Sequence, residues 1–425
     1  MLVKIIFMLK SKVIFHLDAD SYFVSAIRTI RKDLFGKSMV VAHNHKRAII
    51  TSASYEAKAK GIKVGMPLYK AKLIDPNVVV ADYSFELYSN LSSNIFNFLY
   101  ENYTKKIQIY SIDEFFIDAS DLVVKKGSIL KLAQEMQKAI MDNFSIPFSI
   151  GVGPNLWMAK MSTSINKPYG ITITKRSDLK KNIYSQDISE YVGIGKSGLA
   201  KLSHLNIKTI GDFCNSVFAQ GALEKIYGIK LKTIKEECQG ISNDQIDTSQ
   251  NDAQSLGSEI SFSHDDLDER SSIFNYFKLI CELLEKKLKN RGIYANTLTV
   301  KLRDQNYKWK TKRKKYSIKL FESQDIMNRV IEIFNQFWDE KKLRGLGISL
   351  SDFGDIYQSD LSFDLFDQKY DSKKEKINAL IKSINKDKTR KVIYFLNEYQ
   401  DSQIHKSKQS KFIKNEQKKI KKTSL

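Results

Sequence analysis

The sequence predicts an α+β protein of several domains, because mixed strand-and-helix patterns occupy both ends of a long chain. At 425 residues the chain exceeds one ordinary domain, and 42% apolar with 11% aromatic residues is typical of folded proteins. One pattern covers about 12–152 and the other about 256–352, and each combines short apolar strands with amphipathic helices. A mostly helical stretch at 175–243 lies between them.

The N-terminal pattern predicts a split βαβ unit. KVIFHLD at 12–18 is an apolar run that ends in an acid, as expected of a buried strand. IQIYSIDEFFIDA at 107–119 predicts a hairpin, 129–140 a helix with one apolar face, and 148–152 another strand. An insertion at 27–83, with its own glycine and proline punctuation, interrupts the unit.

The C-terminal pattern predicts a β-α-β-β-α-β unit. A polar stretch at 244–255 precedes it and is interpreted as a linker. In Thr297–Arg303 apolar residues alternate with Thr, Lys and Arg, so one strand face would pack on helices and the other would present cations. KWKTKRKK at 308–315 is interpreted as a cationic loop, and a lysine-rich tail ends the chain. The strands are expected near 256–262, 296–303, 314–321 and 345–352.

Composition indicates a polyanionic partner and a reducing compartment. Lys and Arg outnumber Asp and Glu by 69 to 48, and the resulting net charge of +21 favours such a partner over the alternative of a merely soluble basic protein. Three scattered cysteines form neither a disulfide framework nor a zinc set, which favours a cytoplasmic location. No apolar run approaches the ~18 residues of a membrane helix. The segment Met1–Leu9 lacks a signal-peptide pattern, and we expect translation to start at Met8.

Carboxylates mark the predicted chemical site. Asp18 and Asp20 end the first strand, and Asp113 and Glu114 lie in the hairpin that a split βαβ sheet places beside it. Close carboxylates repel unless a divalent cation neutralises them, and oxygen ligands favour Mg²⁺ or Mn²⁺ over Zn²⁺. Two such ions ~3.5–4 Å apart would activate an attacking hydroxyl and stabilise the leaving oxygen in an in-line displacement.

Five ordered motifs resemble the signatures of Y-family DNA polymerases, and the similarity covers about 12–353. They are LDADSYF (17–23), SASYEAKAKGIKVGMPL (52–68), YSIDEFFID (110–118), SIGVGPNLWMAKMSTSINKPYGI (149–171) and VGIGKSGLAKL (192–202). The resemblance implies a right-hand polymerase with a ferredoxin-like palm. Its parts would be the palm (12–26 and 84–174), small fingers (27–83), a helical thumb (175–243), a linker (244–255), a β-α-β-β-α-β little finger (256–353) and a flexible basic tail (354–425).

The resemblance implies two Mg²⁺ ions per site, with Mn²⁺ as a substitute. Asp18 and Asp113 would hold both ions, Glu114 the ion nearest the primer 3′-hydroxyl, and the backbone carbonyl of Ala19 the nucleotide-side ion. These three carboxylates would therefore be the catalytic residues. For Asp20 a surface or capping role is favoured over ligation.

The resemblance also implies a steric gate and a triphosphate site. Phe23 aligns with the aromatic ring that excludes a 2′-hydroxyl, while for neighbouring Tyr22 a nucleotide contact and a core position are equally favoured. Ile27 stands where the family often has Glu, without a physical explanation from sequence. The triphosphate would contact Thr51, Tyr55, Lys58, where the family usually has Arg, and Lys167.

The resemblance implies DNA contacts in the thumb and the little finger, and a sliding-clamp contact in the tail. A helix-hairpin-helix at Gly193, Gly195 and Lys196 would bind phosphate through backbone amides. Cations of the little finger would contact duplex phosphates; they are Lys301, Arg303, Lys310, Lys312 and Arg313. SFDLF at 362–366 resembles a sliding-clamp peptide anchored by Phe363, Leu365 and Phe366, with docking onto the protein's own core as the alternative.

These observations predict a low-fidelity DNA polymerase that extends primers past damaged template bases. It would use deoxynucleoside triphosphates on primer–template DNA, release pyrophosphate and act as a monomer. Two other classes compete. A nucleotidyl cyclase shares the carboxylate arrangement but does not need a basic C-terminal module, and a non-catalytic DNA-binding relative would be expected to lack some of the three carboxylates, all of which are present.

Overall fold

The structure is a computed structural model that describes residues 12–43, 45, 47–242, 245–248, 253–262 and 265–356. The predicted clamp motif at 362–366 and part of the predicted linker lie outside these residues. Nearly all of the described chain belongs to one compact unit, Met1–Gly354. No described helix combines the length and apolar character needed to cross a membrane.

Strands and helices of the C-terminal unit follow one another in the order that the sequence pattern predicts. The strands are β1 (Ile14–Ala19), β2 (Met39–Val41), β3 (Ser52–Ala53), β4 (Val79–Ala81), β5 (Ile107–Ile109), β6 (Glu114–Asp118), β7 (Phe148–Gly153), β8 (Ile171–Ile173), β9 (Ser255–Ser261), β10 (Ile293–Asp304), β11 (Trp309–Leu320) and β12 (Leu343–Asp355). The α-helices are α1 (Tyr22–Ile30), α2 (Tyr55–Ala59), α3 (Leu68–Ile74), α4 (Phe85–Asn102), α5 (Ser120–Lys126), α6 (Ile129–Phe144), α7 (Leu156–Thr163), α8 (Lys196–Ser203), α9 (Ile210–Asn215), α10 (Gln220–Tyr227), α11 (Lys230–Cys238), α12 (Arg270–Arg291) and α13 (Ser323–Phe337). Short 3₁₀ turns lie at Lys32–Leu34, Arg176–Asp178 and Ile188–Glu190, and a π-helical turn at Lys180–Tyr184. The short strands β2, β3, β4 and β8 were not predicted.

The central sheet has the order β5-β6-β1-β7-β8. β1 lies between β6 and β7 and is antiparallel to both, so the predicted position of the first strand beside the hairpin is confirmed. An apolar core from β1, the hairpin and the apolar faces of α4 and α6 fixes this arrangement. Burial on both faces explains why β1 is almost continuously apolar up to its terminal acid.

The small sheet, β3-β2-β4, has its own apolar core with α2 and α3. Arg28 of α1 ties it to the central sheet by donating to the carbonyls of Leu34 and Lys37 and to the carboxylate of Glu56, at 2.9–3.1 Å. One residue before it, Ile27 is buried in the central core. That environment explains why an apolar residue stands at Ile27.

The helical region, 176–238, is organised around an apolar core that includes two cysteines. Cys214 and Cys238 are buried in it, and Cys281 lies in the core of the C-terminal sheet. All three are free thiols. Burial raises the pKa of Cys281 to about 12, so this thiol stays protonated and packs as a small apolar side chain.

The C-terminal sheet has the order β11-β10-β12-β9, and α12 and α13 cover one face. The predicted alternation in β10 is confirmed, because the apolar positions of Thr297–Arg303 are buried and Lys301 and Arg303 are partly exposed. The prediction of a loop at 308–315 is wrong. These residues lie mainly in β11, an exposed edge strand whose cations hide its β pattern from a hydrophobicity argument.

Candidate active site and nucleic-acid interface

Strand register brings the predicted carboxylates to one place. Asp18 is paired directly with Glu114 across β1 and β6. The backbone N–H of Ala19 donates to the carbonyl of Asp113 at 3.0 Å, which holds the hairpin against the end of β1. The hairpin prediction therefore brought Asp18 and Glu114 together, because antiparallel partners direct their side chains to the same face, and it brought Asp113 next to the end of β1.

Burial makes this cluster electrostatically unfavourable by itself. Burial is the largest cause that raises the pKa of Asp18 from 3.8 to about 7. Lys167 lowers this pKa, and the nearby Glu114 carboxylate raises it further. The pKa of Asp113 is also raised, mainly by burial, although Ser111 donates to its carboxylate at 2.5 Å. These acids resist ionisation unless a cation compensates them.

Two lysines supply positive charge to the cluster. Lys167 donates to an Asp18 carboxylate oxygen, and Lys160 Nζ lies 2.5 Å from Glu114 Oε1. Sequence analysis missed Lys160. The sequence feature that could have revealed it is that Lys160 is the single charged residue of α7. The other residues between Trp157 and Thr163 are apolar or small, and they are buried.

The cluster has the chemistry of a divalent-cation site. Its ligands are carboxylate oxygens, and lysine ammonium groups already contact two of the three acids. Across the described part of the chain, no group of three or more His, Cys, Asp or Glu side chains is arranged ready to hold a metal. A bound cation would therefore have to replace the ammonium contacts and draw the carboxylates together.

His16 is buried next to Glu114, one of the three acids. Its Nδ1 lies 2.8 Å from the Thr163 hydroxyl, and its Nε2 lies 3.9 Å from Glu114 Oε1. Burial, and then the charges of Lys160 and Lys167, lower the pKa of this imidazole well below its usual value. His16 is thus a neutral group that packs against Glu114, and its position in a buried strand gave no functional signal.

The expectation of a surface or capping role for Asp20 is wrong. Asp20 is 1% exposed. Its carboxylate accepts hydrogen bonds from the hydroxyls of Tyr55 and Ser149 and from the backbone N–H of Tyr169, at 2.8–3.1 Å. It links the small sheet, β7 and the loop after α7 around the end of β1, which is the role of a structural carboxylate.

The predicted gate residue, Phe23, lies at the rim of an aromatic cluster. Its ring stacks on Tyr88 at 4.4 Å and meets the edge of Tyr83 at 5.4 Å. Tyr22 is buried, and its hydroxyl donates to the carbonyl of Tyr88 at 2.6 Å. The structure favours the core interpretation for Tyr22, whereas Phe23 is partly exposed and held rigidly by its neighbours.

Three predicted triphosphate residues converge beside the acids. The Tyr55 hydroxyl reaches Asp20, and Lys58 Nζ lies 2.9 Å from Ser21 Oγ and 4.3 Å from the centre of the Tyr55 ring. Burial and the charge of Lys167 lower the pKa of Lys58. Two lysines that repel each other in this way favour an anionic ligand.

Thr51 is placed differently from the other predicted triphosphate residues. It is exposed, and its hydroxyl donates to the carbonyl of Val41 at 3.0 Å. This bond lies on the β2–β3 connection of the small sheet. A nucleotide role for Thr51 remains a prediction.

The predicted DNA contacts lie in the helical region and in the C-terminal sheet, and most of them are exposed. Gly193 has φ of 108°, a conformation that favours glycine, and Gly195 caps α8, whose first residue is the exposed Lys196. In the C-terminal sheet, Lys301 forms an ion pair with Glu259 at 2.6 Å, and Lys310 with Asp339 at 3.4 Å. The remaining predicted cations of β11, Lys312 and Arg313, are exposed.

Comparison with known proteins gives two family matches. A model of the impB/mucB/samB family matches residues 17–164, which hold the carboxylates, the Phe23 cluster and the lysines at 58 and 160. A model of the C-terminal domain of the same family matches 253–363, which holds the C-terminal sheet. The two matches leave the helical region between them.

Curated relatives match nearly the whole chain. DNA polymerase IV of Oceanobacillus iheyensis is 30% identical over 95% of this chain and 96% of that protein. DNA polymerase IV of Bacillus velezensis is 31% identical over 88% and 90%, and that of Ureaplasma parvum 28% over 80% and 94%. Among solved structures, a Y-family DNA polymerase chimera superposes with a TM-score of 0.71 at 23% identity, over 80% of this chain and 98% of that one.

Proposed function

The chain belongs to the Y-family DNA polymerases, in their polymerase IV group, and from that premise we propose how its residues divide the work of translesion synthesis. It is a metal-dependent, DNA-directed DNA polymerase that uses primer–template DNA and deoxynucleoside triphosphates. The proposal rests above all on one observation, the register pairing of Asp18 with Glu114 beside Asp113 and two lysines. The alternatives of a cyclase and a non-catalytic relative lose their support.

We propose that Asp18, Asp113, Glu114 and the Ala19 carbonyl hold two Mg²⁺ ions, for which Mn²⁺ can substitute. These ions would supply charge neutralisation at the attacking and leaving oxygens of an in-line phosphoryl transfer. The chain's own part is to concentrate buried carboxylates whose ionisation is unfavourable until a cation arrives, as the raised pKa of Asp18 indicates. Lys160 is a positioning residue that holds Glu114 beside β1 until then.

The triphosphate is proposed to bind between Tyr55, Lys58 and Lys167. The ammonium group of Lys58 contacts Ser21, and that of Lys167 contacts Asp18. To bind the triphosphate, both groups would have to turn away from these partners and toward the phosphate oxygens. Lys58 provides a point charge where arginine would provide a planar fork, which predicts weaker nucleotide affinity. Phe23, fixed by Tyr88, would contact the 2′ carbon of the incoming sugar and exclude ribonucleotides.

The regions of the fold are proposed to grip DNA from several sides. The central sheet would be the palm, the small sheet the fingers, the helical region the thumb and the C-terminal sheet the little finger. The Gly193 hairpin and the cations of β10 and β11 would bind phosphates without reading sequence. Docking of 362–366 on a sliding clamp, a monomeric state and a cytoplasmic location remain predictions.

Primer extension with a Glu114→Gln variant tests the proposal. Wild-type protein, a labelled primer–template, four deoxynucleotides and Mg²⁺ should give extension, and the variant should lose turnover by orders of magnitude. DNA binding should change little, because it is spread over many cations. Glu135→Gln is the matched control, since Glu135 also contacts a lysine, Lys126 at 2.7 Å, but on the surface. Normal extension by Glu114→Gln would contradict the assignment.

A further inference from the structure

The tip of the β10–β11 hairpin exposes two aromatic rings. Tyr307 is 57% exposed and Trp309 is 36% exposed. The tip is a defined turn, in which the N–H of Tyr307 donates to the carbonyl of Asp304 and the N–H of Asp304 to the carbonyl of Lys308, at 2.9–3.1 Å. The backbone that carries the rings is therefore held by hydrogen bonds, and neither ring belongs to the apolar core of the C-terminal sheet.

Two guanidinium groups lie against these rings. Arg303 is 5.4 Å from the centre of the Tyr307 ring and 5.6 Å from that of Trp309, and Arg344 is 4.3 Å from that of Tyr307. Arg303 is held in place because it donates to Ser261 Oγ at 3.0 Å and to the carbonyl of Tyr307 at 3.4 Å. The tip thus combines flat rings with fixed positive charge.

The tip also lies at the junction between the C-terminal sheet and the small sheet. Asp266 accepts hydrogen bonds from Arg344 at 3.3 Å and from Gln305 at 3.4 Å. The same carboxylate accepts from Arg47, in the β2–β3 connection of the small sheet, at 2.8 Å. Trp309 pairs with Arg303 across β10 and β11, so it shares the cationic open face of the C-terminal sheet.

We propose that Tyr307 and Trp309, with Arg303 and Arg344, form a stacking platform for the single-stranded part of the template. Aromatic rings interleaved with arginine bind unpaired bases without sequence preference, whereas duplex phosphates require only cations. A primer–template always carries such a stretch, the template bases that are not yet copied. This inference rests on the proposed function, which supplies the single strand.

The test compares two DNA ligands that share one duplex. One has a 5′ template overhang of about eight nucleotides, a length within the range that such sites cover, and the other is blunt. The variant is Tyr307→Asn with Trp309→Thr, since Asn tolerates the Tyr307 φ of 65° and Thr suits a strand. We expect affinity for overhang DNA to fall at least about fivefold, as the loss of one stacked base implies, with blunt-duplex affinity little changed.

Matched variants separate stacking from damage to the fold. Tyr307→Phe with Trp309→Phe keeps both rings and should retain overhang binding. Tyr69→Ala removes a ring with the same exposed fraction, 57%, from helix α3 and should have no effect. A fluorescent base analogue in the overhang should be quenched by wild-type protein and less by the Asn/Thr variant.

Two results would overturn the proposal. One is an equal loss of overhang and blunt affinity in the Asn/Thr variant, and the other is unchanged affinity for both. Thermal unfolding of the variant close to that of wild type is expected, and a large decrease would count against a surface role. Failure of the proposed function is distinguishable, because it would abolish extension by the wild-type protein without affecting the binding comparison.

Discussion

Asp18→Asn is expected to abolish primer extension and, in the absence of metal, to stabilise the protein. Asp18 is mostly buried, lies beside Glu114, and has a pKa raised from 3.8 to about 7. The amide of Asn has a similar shape and no charge. It therefore removes a carboxylate whose ionised form the metal-free protein disfavours.

The size and sign of the effect follow from the pKa shift. A rise from 3.8 to about 7 corresponds to about 4 kcal/mol for ionising Asp18 in the folded protein, at about 1.4 kcal/mol per pH unit. This penalty is absent below about pH 4, grows as the pH rises, and is complete above about pH 7. The pKa of about 7 already includes the attraction between Asp18 and Lys167. Because solvent that still reaches the carboxylate reduces the penalty, we expect a net stabilisation of about 1–3 kcal/mol at about pH 8.

Urea unfolding with a chelator at about pH 4 and about pH 8 measures the effect. The variant should be more stable than wild type only at the higher pH, and added Mg²⁺ should stabilise wild type more than the variant. Asp121→Asn is the control. Asp121 is exposed and forms an ion pair with Lys106, which lowers the pKa of the Asp121 carboxyl. Removing this carboxylate should therefore not stabilise the protein. Destabilisation by Asp18→Asn at about pH 8, or an effect independent of pH, would refute the reasoning.

Three further predictions concern substrate choice, DNA and the clamp. Phe23→Ala should increase ribonucleotide incorporation relative to deoxynucleotides in single-nucleotide extension assays, and unchanged discrimination would place the gate elsewhere. Replacing the cations of 308–315 with Gln should reduce the slope of log affinity against log salt by about one for each phosphate that the protein no longer neutralises. An unchanged slope would show that these cations are solvated and do not contact DNA. Truncating Leu365 and Phe366 to Ala should abolish stimulation of synthesis by an added sliding clamp and leave unassisted synthesis unchanged, whereas a decrease in unassisted activity would place them in the core.

Predictions from the sequence were correct where an apolar run or an apolar strand face determines how an element packs. The apolar run of β1 and the alternating hairpin predicted which strands meet, and with them the positions of Asp18 and Glu114. The same alternation predicted the buried face of β10. β11 failed this test because it is an edge strand whose first residues are exposed on both faces, so the apolar period of two is missing.

Contacts between distant segments could not be predicted in this way. Lys160 meets Glu114 only because α7 packs on β1 and β7, the strands beside β6. Asp20 is buried only because Tyr55, Ser149 and Tyr169 surround it. No period or spacing carries that information. The cost of burying an unpaired carboxylate explains afterwards why Asp20 has so many donors.

The charges of the active site are best explained by a ligand that carries both signs. The Glu114 carboxylate raises the pKa of Asp18, while the charge of Lys167 lowers the pKa of Lys58 within the same site. A site that served only stability would pair these four groups completely, yet the Lys167–Asp18 contact leaves the Lys58–Lys167 repulsion in place. Cations bound to a triphosphate would relieve both conflicts together, because the carboxylates would face the metal and the lysines the phosphate oxygens.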